Sequence, residues 1–337
     1  MSGESRSGRP LRVGIVGCGR MGRVHAERLV QTGLVEIVAV HDTSASTAAA
    51  LRHSFAPMAS CCDSVEEVLE VPGLAAVVLC SPTGLHYEQA LPVLAANLAV
   101  LCEKPLADRR DRMDELIAAA ERSTAPAVLA YQRRFWGTYR TLRREVASGR
   151  WGAIRAVTSH NTERWQQTIT GTWRDDPDQN PGGFLGDAGS HKLDAMFYTI
   201  GLRPIEVFAR SQRRGSRVEI ITSVSAVLEG DVALTMDFVG SAQHQSEDLT
   251  IHCDEADLMI RDWRVWIARN NEVRPLEPLE PLEPTTDPAT GFVAIVAGEL
   301  ANPAPFTVAR PVGELTAAIL RSADTGKVTY LDEPPTG

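Results

Sequence analysis

Asp187 and His191 stand four residues apart in the run Gly182-Gly-Phe-Leu-Gly-Asp187-Ala-Gly-Ser-His191-Lys-Leu-Asp194. On a helix, residues i and i+4 share a face, so the spacing predicts a carboxylate beside an imidazole. Histidine titrates near about 6.5, where proton transfer at neutral pH is efficient. A neighbouring carboxylate favours the imidazolium that forms when the ring takes a proton. A capping or core histidine beside an ordinary aspartate would leave the same local pattern. A second group, Lys104, sits in Cys102-Glu103-Lys104-Pro105 at the end of an apolar run; Ser81-Pro82-Thr83-Gly84-Leu85-His86 closes another. If these runs are parallel strands, both motifs lie at carboxyl ends, the edge where open α/β sheets bind ligands. A lysine there can stabilise a developing alkoxide; the plain alternative is a solvated surface lysine.

The stretch Gly14-Ile-Val-Gly17-Cys-Gly19-Arg20-Met21-Gly22-Arg-Val-His25 contains GxGxxG, with Asp42 twenty residues after Gly22. The triplet alone is weak. Here it follows a strand candidate and opens a helix candidate, as a dinucleotide site requires: the first glycine turns the chain, the second admits the pyrophosphate, and the third lets helix and strand approach. The helix N-terminus then offers unpaired N–H groups to the phosphates. Gly17, Gly19, Arg20, Met21 and Gly22 are therefore candidate cofactor contacts, with Ser81, Pro82, Thr83, His86, Glu103 and Lys104 along the same edge. Asp42 would accept hydrogen bonds from the adenosine ribose. A 2′-phosphate would meet a like charge there, and no Arg or Lys follows in Asp42-Thr-Ser-Ala-Ser, so NAD is expected rather than NADP.

The elements that would position these groups are legible as alternating patterns. Strands are predicted over Leu11–Val16, Glu36–Val40, Ala75–Cys80, Ala99–Cys102 and Ala127–Ala130, and helices over His25–Gln31, Ser44–His53, Val65–Glu70, Tyr87–Ala96 and Arg109–Arg122. That alternation is the signature of βαβ units around a parallel sheet. After Tyr131 long period-two segments take over (Arg155–Asn161, Ile205–Ser211, Val218–Leu228, Val232–Phe238), implying a mostly antiparallel sheet covered by helices on one face. The expected organisation is a disordered tail over 1–10, an NAD-binding domain over 11–130, and a substrate-binding and oligomerisation domain over 131–337. Val312–Ala323 reads as a helix, followed by a short strand or coil over Lys327–Leu331. Proline at every third position over Pro275–Pro284 favours an extended polyproline-like path, read as a surface loop or, alternatively, a peptide ligand.

Composition narrows the partners. A formal net charge of −9 disfavours nucleic acid and anionic membranes. Met1–Pro10 lacks the apolar core of a secretory signal, and no stretch reaches about eighteen apolar residues. The six cysteines show no CxxC and no zinc-ligand spacing, so no metal is expected, and they read as reduced, mostly buried thiols of a cytoplasmic protein.

Taken together, GIVGCGRMGRVH, SPTGLH, CEKPLA, YQRRF, GGFLGDAGSHKLD and LTAAILRSADTGKVTYL make the chain resemble the glucose-fructose oxidoreductase and inositol dehydrogenase family (Gfo/Idh/MocA) from about Leu11 to Leu331. The resemblance implies an α/β fold: a Rossmann domain plus an α+β domain on a large open sheet whose exposed face commonly mediates homodimers or homotetramers. By the same resemblance Lys104 looks like the family's Glu-Lys-Pro lysine, and Asp187 with His191 like its catalytic pair. Arg133 or Arg134 and His160 fall where relatives often contact substrate. Phe184-Leu185-Gly186 and the Pro-Leu-Glu tract depart from the common pattern. The implied activity is NAD-dependent oxidation of a secondary alcohol on a sugar, cyclitol or related polyol, with His191 as general acid/base and Asp187 orienting it or binding an adjacent hydroxyl. Trp165, Trp173 and Arg174 would line the substrate pocket or, for the tryptophans, fill a core. Two alternatives stay open: an NAD-dependent lyase or glycosidase that oxidises its sugar transiently, and a non-catalytic NAD-binding regulator.

Overall fold

The computed structural model describes residues 9–278 and 284–331. The expected tail lies outside these residues up to position 8, and so do 279–283 of the Pro-Leu-Glu tract. The chain forms two compact units: residues up to Tyr131 together with Thr286–Val308, and Gln132–Thr285 together with the chain from Ala309 on.

The first unit is built on strands β1 (Leu11–Val16), β2 (Val35–His41), β3 (Ser60–Cys62), β4 (Ala76–Leu79), β5 (Ala99–Cys102) and β6 (Ala127–Leu129), in the order β3-β2-β1-β4-β5-β6. Every pairing is parallel. Such a sheet is covered on both faces, which is why β4, β5 and β6 are unbroken apolar runs buried at every residue. Helices α1 (Arg20–Gln31), α2 (Ala45–Phe55), α3 (Val65–Leu69), α4 (Thr83–Ala95) and α5 (Arg110–Arg122) make the crossovers. Ser44 and Ser64 cap α2 and α3 by accepting from Thr47 N–H and Glu67 N–H. Two helices begin earlier than their periodicity suggests: α1 at Arg20 and α4 at Thr83, because the glycine and proline that mark these openings as turns are accommodated at the first helical turn. Strand β3, three residues long, is too short to carry a period.

The second unit carries a nine-stranded sheet: β7 (Ile154–Thr162), β8 (Pro204–Gln212), β9 (Ile221–Leu228), β10 (Val232–Val239), β11 (Ser246–Cys253), β12 (Asp257–Arg261), β13 (Arg264–Arg269), β14 (Glu272–Pro275) and β15 (Thr329–Tyr330). The order is β14-β13-β12-β11-β7-β10-β9-β8-β15, antiparallel except for the parallel pair β7 and β10. Strict alternation along β10 (buried Val232, Leu234, Met236 and Phe238) leaves one face for the helices and one open. Helices α6 (Gly137–Ala147), α7 (Gln166–Ile169) and α8 (Ser190–Ile200) belong to this unit. The chain then returns to the first unit with α9 (Pro288–Val296), capped by the Asp287 carboxylate, and comes back with α10 (Ala309–Thr325).

The uninterrupted second domain over 131–337 is thus corrected. Residues 286–308 pack on the parallel sheet, where Leu129 N–H donates to the Ala304 carbonyl (2.8 Å) and Asn302 Nδ2 to the Ala127 carbonyl (2.8 Å). Local periodicity holds no information about such a return. Pro275, expected to open the polyproline-like path, instead ends β14. The thiols are less uniformly buried than expected: Cys18, Cys62 and Cys102 are buried, but Cys61 is exposed.

Candidate active site

In the first unit the loop between β1 and α1 has the geometry its glycines imply. Gly17 has φ +86°, and a Cβ there would lie 2.5 Å from the Ser81 amide nitrogen. A Cβ on Gly22 would lie 2.0 Å from the Gly17 carbonyl oxygen, so only glycine lets α1 start this close to the loop. A Cβ on Gly19 would meet nothing within 4 Å. Gly19 also precedes α1 without any side-chain cap, so the first amides of the helix face that open space, beside exposed Arg20 and half-buried Met21. Asp42 follows β2, its Oδ2 accepting from Cys18 N–H and its Oδ1 from Ser44 N–H, each at 2.8 Å. A carboxylate oxygen has lone pairs beyond these, available to ribose hydroxyls. Open cradle, uncapped amides and anchored carboxylate together fit a dinucleotide.

At the neighbouring strand ends, Pro82 precedes α4 and Thr83 begins it, while the Ser81 hydroxyl donates to Gln89 Oε1 (2.5 Å). His86 is buried, with Nδ1 2.8 Å from the Pro105 carbonyl and Nε2 2.9 Å from the Ser81 carbonyl. It therefore ties the two motif loops together from beneath, rather than presenting its ring to a ligand. Burial lowers its proton affinity below the usual histidine range, against the pull of those carbonyls. Glu103 is buried; its Oε1 meets His25 Nε2 at 2.8 Å and its Oε2 accepts from Lys104 N–H at 3.2 Å. Lys104 is half-buried and precedes the cis bond to Pro105.

In the second unit Asp187 lies within a five-residue π turn, Leu185–Gly189, that runs directly into α8. The single α-helix expected across Asp187 and His191 is therefore a π turn followed by an α-helix. Glycines make the turn possible: Gly183 has φ +53° and its Cβ would strike the Glu219 carbonyl oxygen at 2.1 Å, and one on Gly186 would lie 2.3 Å from the Pro181 carbonyl oxygen. The Asp187 carboxylate, 7% exposed, accepts from Arg174 Nε at 2.8 Å and from Trp165 Nε1 at 3.4 Å. Arg174 stacks over Trp173, guanidinium carbon to ring centroid 4.4 Å, and Trp165 packs against Phe184 at 5.5 Å. Of the eleven residues of α8, His191 alone is not buried.

The other expected substrate contacts are placed differently. Arg133 is buried in an ion pair with Glu247 of β11, donating from Nε to Oε1 (2.7 Å) and from NH2 to Oε2, while the Tyr139 hydroxyl donates to the same carboxylate. Burial opposes its charge, but Glu247 outweighs that and holds Arg133 above its usual range. Arg134 grips Asp194 through Nε at 2.8 and 2.9 Å; burial pushes that carboxyl up to about 6 against the pull of the guanidinium. His160 is exposed, 3.9 Å from Asp237, its partner in the β7–β10 register. The next register pair, Asn161 and Phe238, faces the opposite way, and Phe238 packs against Gly189 at the foot of α8. Alternation therefore puts His160 on the open face, with the sheet between it and His191. His25 was passed over in the sequence; its only signal is a position three residues beyond Gly22.

Comparison with known proteins identifies the family and the fold. Residues 11–131 match the model of the oxidoreductase family with NAD-binding Rossmann fold, and 139–259 match the GFO/IDH/MocA C-terminal domain. The chain belongs to the Gfo/Idh/MocA family of oxidoreductases. Among curated members it is similar to D-glucoside 3-dehydrogenase of Escherichia coli (32% identical over 198 residues, 58% of this chain and 56% of the relative). It is also similar to inositol 2-dehydrogenase of Rhizobium meliloti (26% over 199 residues, 59% and 58%). The alignments thus span little more than half of the curated relatives' length. Of solved structures, an oxidoreductase domain protein from Kribbella flavida shares the fold with TM-score 0.84 at 21% identity, covering 96% of this chain and all of that one. A levoglucosan dehydrogenase in complex with NADH gives 0.84 at 18%, covering 97% and 100%. Among the described residues no helix is long and apolar enough to cross a membrane.

Proposed function

We propose that this member of the family oxidises a secondary alcohol of a sugar, cyclitol or related polyol reversibly, with NAD preferred to NADP. The observation that carries the reading is His191: in a helix buried everywhere else it alone keeps partial exposure, four residues after a carboxylate locked by Arg174 and Trp165. A histidine so placed can take the hydroxyl proton and return it in the reverse direction. Asp187, held in place by its partners, orients His191 or accepts a hydrogen bond from an adjacent hydroxyl of the substrate. Lys104, at the dinucleotide edge of the first unit, can lower the cost of negative charge developing on a ligand bound there. When bound, oxidised nicotinamide supplies the acceptor for the hydride that leaves the carbinol carbon. The printed names of the relatives, D-glucoside, inositol and levoglucosan dehydrogenases, support a polyol as substrate class. Asp42 beside Thr43 and Ser44, with no adjacent cation, supports NAD. The open face of the nine-stranded sheet supports a homodimer or homotetramer.

A screen of sugars, cyclitols and sugar nucleotides for absorbance of reduced nicotinamide, run on wild type and His191→Ala, tests this. Accumulating NADH in the wild type, with turnover lost and NAD affinity kept in the variant, is the expected result. Turnover that survives in His191→Ala would refute the assignment.

A further inference from the structure

Arg174 makes its ion pair differently from the buried arginines of the same unit. Arg133 reaches both oxygens of Glu247, from Nε and NH2, and Arg134 reaches both oxygens of Asp194. Their side chains are 4% and 9% exposed, so each guanidinium closes a buried pair. Arg174 gives Asp187 a single hydrogen bond, from Nε to Oδ2 at 2.8 Å, and its side chain is 40% exposed. Among the described residues its terminal nitrogens have no acceptor, which leaves the outer N–H donors of the fork uncommitted. An arginine that served only to neutralise Asp187 would turn its fork to both carboxylate oxygens, as the other two do.

The side chain is nevertheless held still. Trp173 stacks on its face with the guanidinium carbon 4.4 Å from the ring centroid. Thr172 Oγ1 accepts from Arg174 N–H at 3.2 Å, and Asn180 Nδ2 donates to the Arg174 carbonyl at 2.8 Å and to the Gly183 carbonyl at 3.4 Å. Backbone, plane and inner edge of this guanidinium are thus fixed beside the turn that carries Asp187. The nearby carboxylates are engaged elsewhere: Asp175 Oδ1 accepts from Arg217 N–H at 3.0 Å, and Asp176 Oδ1 lies 3.7 Å from Arg217 NH2. A long side chain ordered in advance, with its donors outward, has already lost the freedom that binding would otherwise cost.

We propose that Arg174 reads an anionic substituent, a carboxylate or a phosphate, on the sugar or polyol oxidised at this site, so that the substrate class is an acidic sugar. This rests on the reading of the site given above. The open end of a planar guanidinium fits a group that presents two oxygens to two parallel N–H bonds. A hydroxyl offers one oxygen and leaves the second donor unmet. Asp187 offsets part of the charge from the Nε side, so the preference expected is about tenfold, the low end for charge-assisted hydrogen bonds.

The probes are D-glucuronate, D-galacturonate and D-mannuronate with their uncharged uronamides, and hexose phosphates with the free hexoses. Titrated calorimetrically into protein saturated with NADH, they measure the preference for charge without requiring turnover. At least one charged member should bind about tenfold or more tightly than its neutral counterpart, and the pair that shows it tells carboxylate from phosphate. No such preference in any pair overturns the proposal. In Arg174→Gln the preference should collapse to about twofold or less. Binding weakened by the same factor for both members of the pair, the mark of a displaced Asp187, overturns it. If Arg174→Gln does not fold, Arg174→Lys decides, because it keeps the charge and loses the fork: a preference cut about threefold or more supports the proposal, and an unchanged one overturns it. Failure of the broader reading looks different. A charged sugar bound in preference but never oxidised refutes the dehydrogenase role and supports the charge reading, whereas a neutral polyol oxidised with no preference for its charged counterpart refutes the role of Arg174 alone.

Discussion

Replacing Glu247 by glutamine should cost the second unit a large part of its stability while sparing the chemistry. Arg133 is 3% exposed and Glu247 6%, and the pair is joined by two hydrogen bonds with the Tyr139 hydroxyl as a third donor. Neutralising the carboxylate leaves the buried guanidinium without its hydrogen-bonded counter-ion, with Glu163 as its remaining acidic neighbour. Breaking a buried pair from one side costs about 3–5 kcal/mol. For a unit of this size that is a fall in Tm of roughly 6–20 °C. Replacing both partners, Arg133→Met with Glu247→Leu, removes the stranded charge and should recover most of the loss. Urea unfolding followed by tryptophan fluorescence reads the stability, and NAD titration of the folded variant shows whether the first unit is untouched. A Glu247→Gln protein within about 1 kcal/mol of wild type would refute the reasoning. So would an Arg133→Met/Glu247→Leu protein of normal stability whose KM for the polyol had risen sharply, because Arg133 would then meet substrate.

Gly19→Ala and Gly22→Ala separate the two uses of glycine in the fingerprint: the first adds a methyl to open space and should leave Tm unchanged while weakening NAD binding at least about tenfold. The second forces the methyl against the Gly17 carbonyl and should cost about 1–3 kcal/mol of stability, both read by thermal melts and NAD fluorescence titration. His86 is held below its unfolded value, so its contribution is fully present above pH of about 6.5 and is lost as pH falls toward the lowered folded value. Urea melts of wild type against His86→Asn should show an extra acid-side slope in the wild type alone, at most about 1.4 kcal/mol per pH unit; parallel curves would contradict it. Asp42→Ala combined with Thr43→Arg should move the ratio of kcat/KM for NAD and NADP toward NADP, and an unchanged ratio would remove Asp42 from the ribose.

The parallel half of the fold was legible because its motif glycines and short β-branched runs each carry a positional meaning. The start of α1 was misplaced, since Gly22 reads as a breaker until the Gly17 carbonyl is seen against it. The outer hairpin of the second sheet turns through Asp262 and Trp263, both at positive φ, without the glycine or asparagine that announces such a turn. The candidates Lys104, at a strand end, and Asp187 with His191, four residues apart, stand out locally in the sequence, but the groups that their neighbours pair with do not. Glu247 lies 114 residues from Arg133 and Asp194 lies 60 from Arg134, so no local pattern could show that these arginines are spent on buried carboxylates. The alternation of β7 was readable, and it says that His160 and Asn161 face opposite ways. Which face meets α8 depends on Phe238 and Gly189, which only the folded sheet brings together.

The most direct test of hydride transfer uses a polyol deuterated at the carbon that is oxidised, incubated with the wild-type protein and NAD. Mass spectrometry of the isolated reduced nicotinamide should find one deuterium at C4, in an amount equal to the ketone formed. Ketone without label in the cofactor, or deuterium recovered in solvent water, would contradict the account.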